Sequence, residues 1–176
     1  MNTTYVNKNK WFWAWQDDKE EAWLSEMARE GLHLDTVSLG TYKFRKGEPG
    51  NYVYRLDYQS LKSKDKESYL QLFEDAGWEY VGNMSGWMYF RIQADEGESP
   101  EIFSDAESKT GKYQRVIMYL VIFLPILMIL RPNVVDRYGP SLVIIEVLYF
   151  ILMLLYAFAM VQLLRRMNQV RRKKAK

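Results

Sequence analysis

The sequence predicts an α+β fold, in which a duplicated strand–helix–strand–strand domain precedes a C-terminal hairpin of two transmembrane helices. Helix and strand signals recur at an offset of 46 residues within residues 1–93, and two long apolar runs follow within residues 113–164. The balance of basic and acidic residues also changes between these two regions. Residues 1–112 carry 14 basic and 20 acidic side chains, whereas residues 113–176 carry 10 and 2. The overall net charge of +2 and the mean hydropathy of −0.32 therefore average two different regions.

The first predicted unit spans about residues 8–46. The extended aromatic run from Trp11 to Trp15 is expected to form its first strand. Acidic residues from Asp17 onward indicate the start of a helix, because negative side chains interact favourably with the positive end of the helix dipole. Gly31 indicates the end of that helix. Alternating apolar residues then predict two strands joined by a turn at Gly40.

The second predicted unit spans about residues 50–93 and repeats these signals. Alternation from Tyr52 to Tyr58 predicts its first strand, Asp65 lies near the start of its helix, and two strands meet at Gly86. Five pairs of residues are identical at the 46-residue offset: Glu21/Glu67, Leu24/Leu70, Gly31/Gly77, Gly40/Gly86 and Phe44/Phe90. We expect an antiparallel sheet with two helices on one face, which leaves the other face open to a partner or ligand.

The hairpin is expected at residues 113–164, with spans at about 114–132 and 141–164. A helix needs about 20 predominantly apolar residues to cross the hydrocarbon layer, and both runs reach this length with their flanking residues. Pro125 lies inside the first span, where it removes one helical hydrogen bond and is expected to produce a kink.

Charged segments flank the hairpin. Residues 94–112 begin as an acidic linker, in which Ile102 and Phe103 are candidates to pack back on the domain. Residues 165–176 form a basic tail, whereas the loop between the spans holds only two Arg. By the positive-inside rule, both termini are expected in the cytoplasm. We expect six tail residues to contact lipid headgroups: Arg165, Arg166, Arg171, Arg172, Lys173 and Lys174. Nucleic acid is not an expected partner, because no DNA-reading module accompanies the tail.

Glu146 is the only carboxylate within an apolar run. On one interpretation it pairs with Arg131 or Arg137, or turns toward the headgroups. On the other it forms a polar site within the membrane for a cation, a proton or a partner helix. One face of the same span is predicted to pack against another helix and carries Tyr149, Met153, Tyr156 and Met160.

Aromatic residues distinguish the N-terminal domain, since all six Trp lie before residue 93. In an extended strand, Trp11, Trp13 and Trp15 share the face opposite Phe12 and Ala14. On one interpretation the three Trp pack in the core or at an interface. On the other interpretation they form the floor of an exposed groove that binds an apolar ligand, a peptide or the bilayer surface. The candidate ligand- or partner-binding residues are then Trp11, Trp13, Trp15, Tyr54, Tyr58 and Trp87.

The composition excludes several kinds of site. The absence of Cys excludes disulfides and thiolate chemistry, and the single His excludes a multi-histidine metal site. The sequence has no phosphate-binding glycine loop, nucleophile elbow or metal-ligand spacing. His33 and the acidic residues near Asp17 are interpreted as structural. We therefore expect no catalytic residues, no metal, no cofactor and no enzymatic activity.

Four segments together resemble a known family. They lie within roughly residues 10–110 and read FWAWQDDKEEAWLSEMAREGLHL, YKFRKGEPGNYVYRLDY, AGWEYVGNMSGWMYFR and EIFSDAESK. Their pattern of Trp, Gly and other aromatic residues is similar to that of the bacterial family called domain of unknown function twenty-eight-twelve. The resemblance implies a bacterial membrane protein, commonly encoded beside PadR-type transcription regulators, in a regulatory or envelope-response operon. It implies no catalytic residues.

Two functions are consistent with the sequence. The first is a membrane-anchored cytoplasmic binding or regulatory module, which recognises a protein partner or an apolar ligand in an envelope-stress or drug-response operon. The second is an accessory or immunity-type subunit that acts through its transmembrane helices on a larger membrane complex. Membrane lipids are expected partners in either case. A transporter, a regulator or a second copy of the chain is the expected protein partner.

Overall fold

The computed structural model describes residues 4–61, 63–95, 97–102, 106–129 and 143–174. The chain divides into two compact regions, Met1–Asp105 and Ala106–Lys176, which we call the N-terminal and C-terminal regions. Each is described by itself below.

The N-terminal region contains the strand–helix–strand–strand order twice, which confirms the predicted α+β fold. The first unit consists of β1 (Tyr5–Asn9), α1 (Asp17–Arg29), β2 (Leu32–Ser38) and β3 (Thr41–Lys46). The second unit consists of β4 (Tyr52–Tyr58), α2 (Ser63–Asp75), β5 (Glu79–Met84) and β6 (Trp87–Gln93).

Each unit forms its own three-stranded antiparallel sheet, with strand orders β1-β3-β2 and β4-β6-β5. The expectation of one sheet across both units is therefore corrected to two sheets. The physical reason lies at β4, whose edge is covered by side chains of α1. The backbone N–H of Tyr54 donates to Ser25 Oγ at 3.1 Å, and that of Leu56 donates to Glu21 Oε1 at 2.9 Å. These donors are satisfied by a helix instead of another strand.

The first strand lies earlier than the sequence predicts. β1 is Tyr5–Asn9, which pairs with β3, and the predicted strand from Trp11 to Trp15 belongs to the connection that follows it. A local turn is responsible, because the N–H of Gln16 donates to the carbonyl of Trp13 at 2.7 Å. The prediction of a strand at Trp11–Trp15 is therefore wrong.

Glycine at position 31 is required by both conformation and space. Gly31 follows α1 with a φ of +79°, in the left-handed region that glycine adopts without steric cost. A Cβ at this position would lie 2.6 Å from the carbonyl oxygen of Gly47. The helix therefore ends at Arg29, and the chain turns through Gly31 directly into β2.

The start of the predicted linker is fixed against the second unit. Ala94 and Ile102 pack on the core cluster of that unit, and the Asn51 side-chain amide donates to the carbonyls of Ala94 and Asp95. Arg55 Nη2 donates to Ser99 Oγ at 2.8 Å. The core cluster itself consists of Val53, Phe73, Trp78, Met88 and Phe90. Ile102 thus packs back on the domain as expected, and Phe103 lies outside the described residues.

The C-terminal region contains two helices, α3 (Ala106–Ile129) and α4 (Val143–Lys174), which pack against each other. The segments Thr110–Ile129 and Val143–Arg172 are each long and apolar enough to cross a membrane. α3 begins within the predicted linker. α4 has 32 residues, about 48 Å of helix, and therefore exceeds the ~30 Å hydrocarbon layer. Its basic end continues the same helix.

Tyrosines of α4 join the two helices of the C-terminal region. The Tyr149 hydroxyl donates to the carbonyl of Leu127 at 3.0 Å, and the Tyr156 hydroxyl donates to the carbonyl of Leu120. The Tyr149–Tyr156 face of α4 is therefore used for packing against α3, as the sequence predicts.

Candidate functional site

The aromatic segment, residues 11–15, connects β1 to α1. Phe12 points inward, with its ring centroid 5.7 Å from that of Trp23. On the other side, Trp13 stacks on Trp15 at 5.3 Å with nearly parallel planes, and Trp11 meets Trp13 edge-on at 5.6 Å. The segment is not a strand, but Phe12 packs on Trp23 whereas Trp11 and Trp13 remain about half exposed and Trp15 stacks on Trp13.

Beside this segment lies a cleft to which both units of the N-terminal region contribute. The cleft is small and partly open, since its empty volume of about 270 Å³ includes open solvent. The first unit contributes Phe12, Trp13, Ala14, Asp17 and Glu20, and the second contributes Leu56, Met84, Trp87 and Tyr89. The lining is therefore mainly aromatic and apolar, with two carboxylates.

Glu20 is the best-defined polar group of the cleft. It is 7% exposed, and its Oε1 accepts hydrogen bonds from the hydroxyls of Tyr42 and Tyr89, each at 2.7 Å. Tyr42 lies on β3 and Tyr89 on β6, so one carboxylate joins the central strands of both sheets. Burial raises the pKa of Glu20, the two tyrosine hydrogen bonds oppose this, and the charge of Asp17 adds to it.

The two tyrosines remain hydrogen-bond donors at physiological pH. Burial raises the pKa of both Tyr42 and Tyr89, and the neighbouring Glu20 carboxylate raises them further. Asp17, one helical turn before Glu20, is 3% exposed. Among the described residues that line the cleft, none is Lys, Arg or His. The cleft therefore presents two buried acidic groups without a basic residue in its lining.

A second polar cluster lies beside the cleft, where α1 meets β4. Glu21 accepts from the backbone of Leu56 and lies 3.5 Å from Arg55 Nη1. On the neighbouring strand position, Asp57 is fully buried and accepts the Tyr69 hydroxyl at 2.6 Å. These carboxylates complete the backbone and side-chain hydrogen bonding between elements, which is a structural role.

The structure brings five of the six sequence-predicted binding residues to the cleft or its margin. Trp13 and Trp87 line it, and Trp11 and Trp15 contact Trp13. Tyr58 is paired with Trp87 across β4 and β6, with ring centroids 5.4 Å apart.

Tyr54, the sixth residue, lies elsewhere. Its side chain is fully buried, and its hydroxyl accepts the backbone N–H of Leu34 at 3.3 Å. The structure therefore places Tyr54 in the core, between the two units.

Sequence reasoning missed Asp17 and Glu20 as cleft residues, since it assigned them to the helix start. A signal was present. Asp17, Glu20, Leu24 and Met27 recur at helical spacings of three and four, so the two acids share the face of the buried apolar residues. Acidic residues on an apolar helix face indicate buried carboxylates.

The predicted membrane residues are located as follows. Glu146 is half-buried in the first turn of α4, and its proposed partners Arg131 and Arg137 lie outside the described residues. Arg166 Nε donates to the Tyr113 hydroxyl at 3.3 Å, which joins the basic end of α4 to the N-terminal part of α3. Arg165, Arg171 and Arg172 are exposed, whereas the side chains of Lys173 and Lys174 lie outside the described set.

No metal centre is present among the described residues, which contain no group of three His, Asp or Glu side chains arranged to hold an ion.

A family model described as "Protein of unknown function (DUF2812)" matches residues 16–125. This is more than half of the chain. The chain belongs to the DUF2812 family. The match begins one residue before α1 and ends inside α3, so it includes both cleft carboxylates but not the aromatic segment. No curated protein and no solved structure matches this DUF2812 protein.

Proposed function

We propose that this DUF2812 protein is a membrane-anchored binding module that recognises a protein partner or an apolar ligand at the cleft. The observation that carries the proposal is the cleft itself: aromatic side chains from both units surround a buried carboxylate, beside Trp11 and Trp13, which are about half exposed. Exposed clusters of Trp are uncommon on proteins without a binding role. A regulatory role, suggested by the family resemblance, belongs to the same proposal.

Binding without catalysis fits the chemistry of the lining. The described lining residues offer carboxylates and a tyrosine hydroxyl but no Ser, His or Lys to act as a nucleophile or partner base. Oε1 of Glu20 is already engaged by two hydroxyls. We therefore propose that the protein is not an enzyme.

We also propose that the chain crosses a bacterial membrane twice, with both termini in the cytoplasm. Two helices of sufficient length support the two crossings. The orientation is supported by basic residues before the first span and after the second. The basic end of α4 would then lie beside anionic lipid headgroups.

We infer that the two units arose by duplication of one. α1 and α2 begin and end at positions 46 residues apart, and both sheets have a register shift at matching positions, Leu34/Thr36 and Tyr80/Gly82. Identical strand order in the two sheets supports the same inference.

The binding proposal is tested by affinity purification of the full-length protein from its native membrane, followed by mass spectrometry. We expect Trp13→Ala to abolish capture of a partner that the unchanged protein retains. Leu39→Ala is the matched control, because Leu39 is 70% exposed in the β2–β3 turn and does not line the cleft. Equal capture by Trp13→Ala would contradict the proposal. Loss of capture in Glu146→Gln alone would instead favour the accessory-subunit function.

The topology proposal is tested by cysteine labelling, for which a chain without Cys is well suited. We expect an impermeant maleimide to label Ser141→Cys in intact cells. Gln169→Cys should be labelled only after permeabilisation. The opposite pattern would overturn the orientation, and labelling of both in intact cells would overturn the two-span arrangement.

A further inference from the structure

We propose that the first unit docks on the anionic surface of the membrane through an exposed apolar group, Trp11, Trp13 and Leu39, which we call the apolar tip. This inference rests on the proposed two-span topology. It goes beyond the binding proposal, because Trp11 and Leu39 do not line the cleft. Its basis is the juxtaposition of the apolar tip with two strands, β1 and β3, whose charged residues are all basic.

The apolar tip forms where two connections of the first unit meet. The N–H of Lys10 donates to the carbonyl of Gly40 at 3.0 Å, which holds the aromatic segment against the β2–β3 turn. A Cβ on Gly40 would lie 3.4 Å from Cε3 of Trp11, so the Trp11 ring packs over this glycine. Trp11 meets Trp13 edge-on, and Leu39 precedes Gly40 in the turn. These three side chains therefore lie at one end of the first sheet.

The residue types of the apolar tip suit the interface of a bilayer. Trp11 and Trp13 are 53% and 49% exposed, and Leu39 is 70% exposed. Tryptophan is enriched at membrane–water interfaces, because its large apolar ring also carries an N–H that can remain in the headgroup layer. Transfer of the Leu side chain out of water adds to the attraction. A bilayer surface therefore offers a suitable environment for each of the three side chains.

The charge of the surrounding segments favours an anionic surface over a neutral one. Residues 4–15 carry two basic and no acidic side chains, and residues 36–47 carry three and none. By contrast, residues 1–112 as a whole carry 14 basic and 20 acidic side chains. Each Lys or Arg near the anionic cytoplasmic leaflet favours the docked state by roughly fivefold. The basic residues of an acidic region are thus concentrated around the apolar tip.

Two of these basic residues, Lys43 and Arg45, extend the surface along β3. Tyr42 and Phe44 are buried, so strand alternation directs Lys43 and Arg45 to the opposite face. Lys43 Nζ lies 3.9 Å from Asp35, and both side chains are partly exposed. An exposed ion pair of this kind is weak and screened by water, so it leaves most of the attraction to a charged surface.

The connection to α3 favours docking, because it is short. Ile102 packs on the core cluster of the second unit, and α3 begins at Ala106. Four residue steps of extended chain span at most about 14 Å. In the proposed topology, the N-terminal region therefore meets the membrane surface at a high effective concentration, and weak contacts are sufficient for docking.

The experiment uses full-length protein reconstituted into vesicles that contain lipids with brominated acyl chains, which quench Trp fluorescence at short range. All six Trp lie before residue 93, so quenching reports on the N-terminal region. We expect stronger quenching in phosphatidylcholine vesicles that contain anionic phosphatidylglycerol than in phosphatidylcholine alone. We expect this difference to disappear in about 1 M NaCl, where the Debye length falls to about 3 Å.

Variants that keep all six Trp locate the docking surface. Leu39→Asp should lower the ratio of docked to undocked protein by about tenfold. Leu72→Asp is its matched control, since Leu72 is 65% exposed on α2, and should leave the ratio unchanged. Arg45→Glu should lower the ratio by at least about fivefold. Lys64→Glu, which reverses an exposed charge on α2, should leave it unchanged.

Equal quenching in Leu39→Asp and Leu72→Asp, or in neutral and anionic vesicles, would overturn the docking inference. A dimer in detergent that Leu39→Asp separates would assign the apolar tip to a second copy of the chain, and would overturn it as well. Failure of the topology is distinguished by the cysteine labelling described above. Correct labelling without Trp quenching would refute docking alone, whereas reversed labelling would refute the topology.

Discussion

The two units of the N-terminal region share one order of elements but differ in what their helices bury. α1 and α2 each have 13 residues. In α1, eight residues are buried: Asp17, Glu20, Glu21, Trp23, Leu24, Ser25, Met27 and Ala28. In α2, Phe73 alone is buried among the residues whose side chains are described. One helix is therefore part of the interior, whereas the other covers its own sheet from outside.

The difference arises because α1 packs against β4 of the other unit as well as β2 of its own. Its polar side chains satisfy the edge of β4 and join both sheets through Glu20. The matching position in α2 is Lys66, whose Nζ lies over the ring of Tyr80. The two units therefore share one order of elements but differ where α1 packs against both of them, and the cleft lies at that place.

The largest difference in stability loss between the two units is expected when Leu24 or its counterpart Leu70 is replaced by Ala. Leu24 is fully buried, so Leu24→Ala should destabilise the N-terminal region by about 2–5 kcal/mol. Leu70 is only partly buried, and Leu70→Ala should cost about 1 kcal/mol. Thermal unfolding of full-length protein, followed by Trp fluorescence, measures both, because all six Trp lie in this region. Equal losses would show that α1 and α2 are equally buried in solution.

The second largest difference in stability loss is expected when Gly31 or its counterpart Gly77 is replaced by Ala. Both glycines have positive φ, so Ala at either position costs roughly 1–2 kcal/mol. At Gly31 the added Cβ would also lie 2.6 Å from the Gly47 oxygen, whereas at Gly77 its nearest neighbour is Ile92 Cδ1 at 3.5 Å. Gly31→Ala should therefore lower the melting temperature more than Gly77→Ala. The reverse order would contradict the close approach at Gly47.

The Glu21/Glu67 pair tests the polar contact between the units. Glu21→Ala leaves the Leu56 N–H without its acceptor and removes the ion pair to Arg55, and should cost about 1–3 kcal/mol. Glu67 is exposed, and Glu67→Ala should change stability by less than about 0.5 kcal/mol. Urea unfolding checks both values. An unchanged free energy of unfolding in Glu21→Ala would mean that water replaces the Glu21 carboxylate as acceptor for the Leu56 N–H.

The smallest effect is expected from Glu20 and depends on pH. Because burial raises the pKa of Glu20 above its ordinary value of 4.5, the folded state binds this proton more tightly than the unfolded state. The resulting stability is present below pH 4.5 and is lost as pH rises through the folded pKa. Glu20→Gln should therefore gain melting temperature relative to the unchanged protein as the pH rises above 4.5. Glu26→Gln, the exposed control, should show no such trend.

Periodicity predicted much of the fold because the signals are local. Gly31, Gly40, Gly77 and Gly86 all have positive φ and lie at the helix ends and turns expected of them. Both apolar helices were predictable for the same reason, since about 20 apolar residues in succession suit few other structures.

The first strand could not be located from pattern. Tyr5–Asn9 is a polar segment with a weak strand signal, and it becomes a strand because β3 offers it hydrogen-bonding partners. The aromatic segment has the stronger signal, but its backbone turns at Trp13–Gln16 so that Phe12 can reach Trp23. Pairing across the chain outweighs local preference here.

Local sequence thus established the element order, the repeated glycine positions, the charge division and the two apolar helices, because each depends on neighbours along the chain. Tertiary structure decided which residues form the cleft. Glu20 meets Tyr42 and Tyr89, 22 and 69 residues away, only because α1 lies where both sheets can reach it. The burial of Glu20 and its raised pKa follow from these contacts between residues that are distant in sequence, which periodicity along the chain cannot predict.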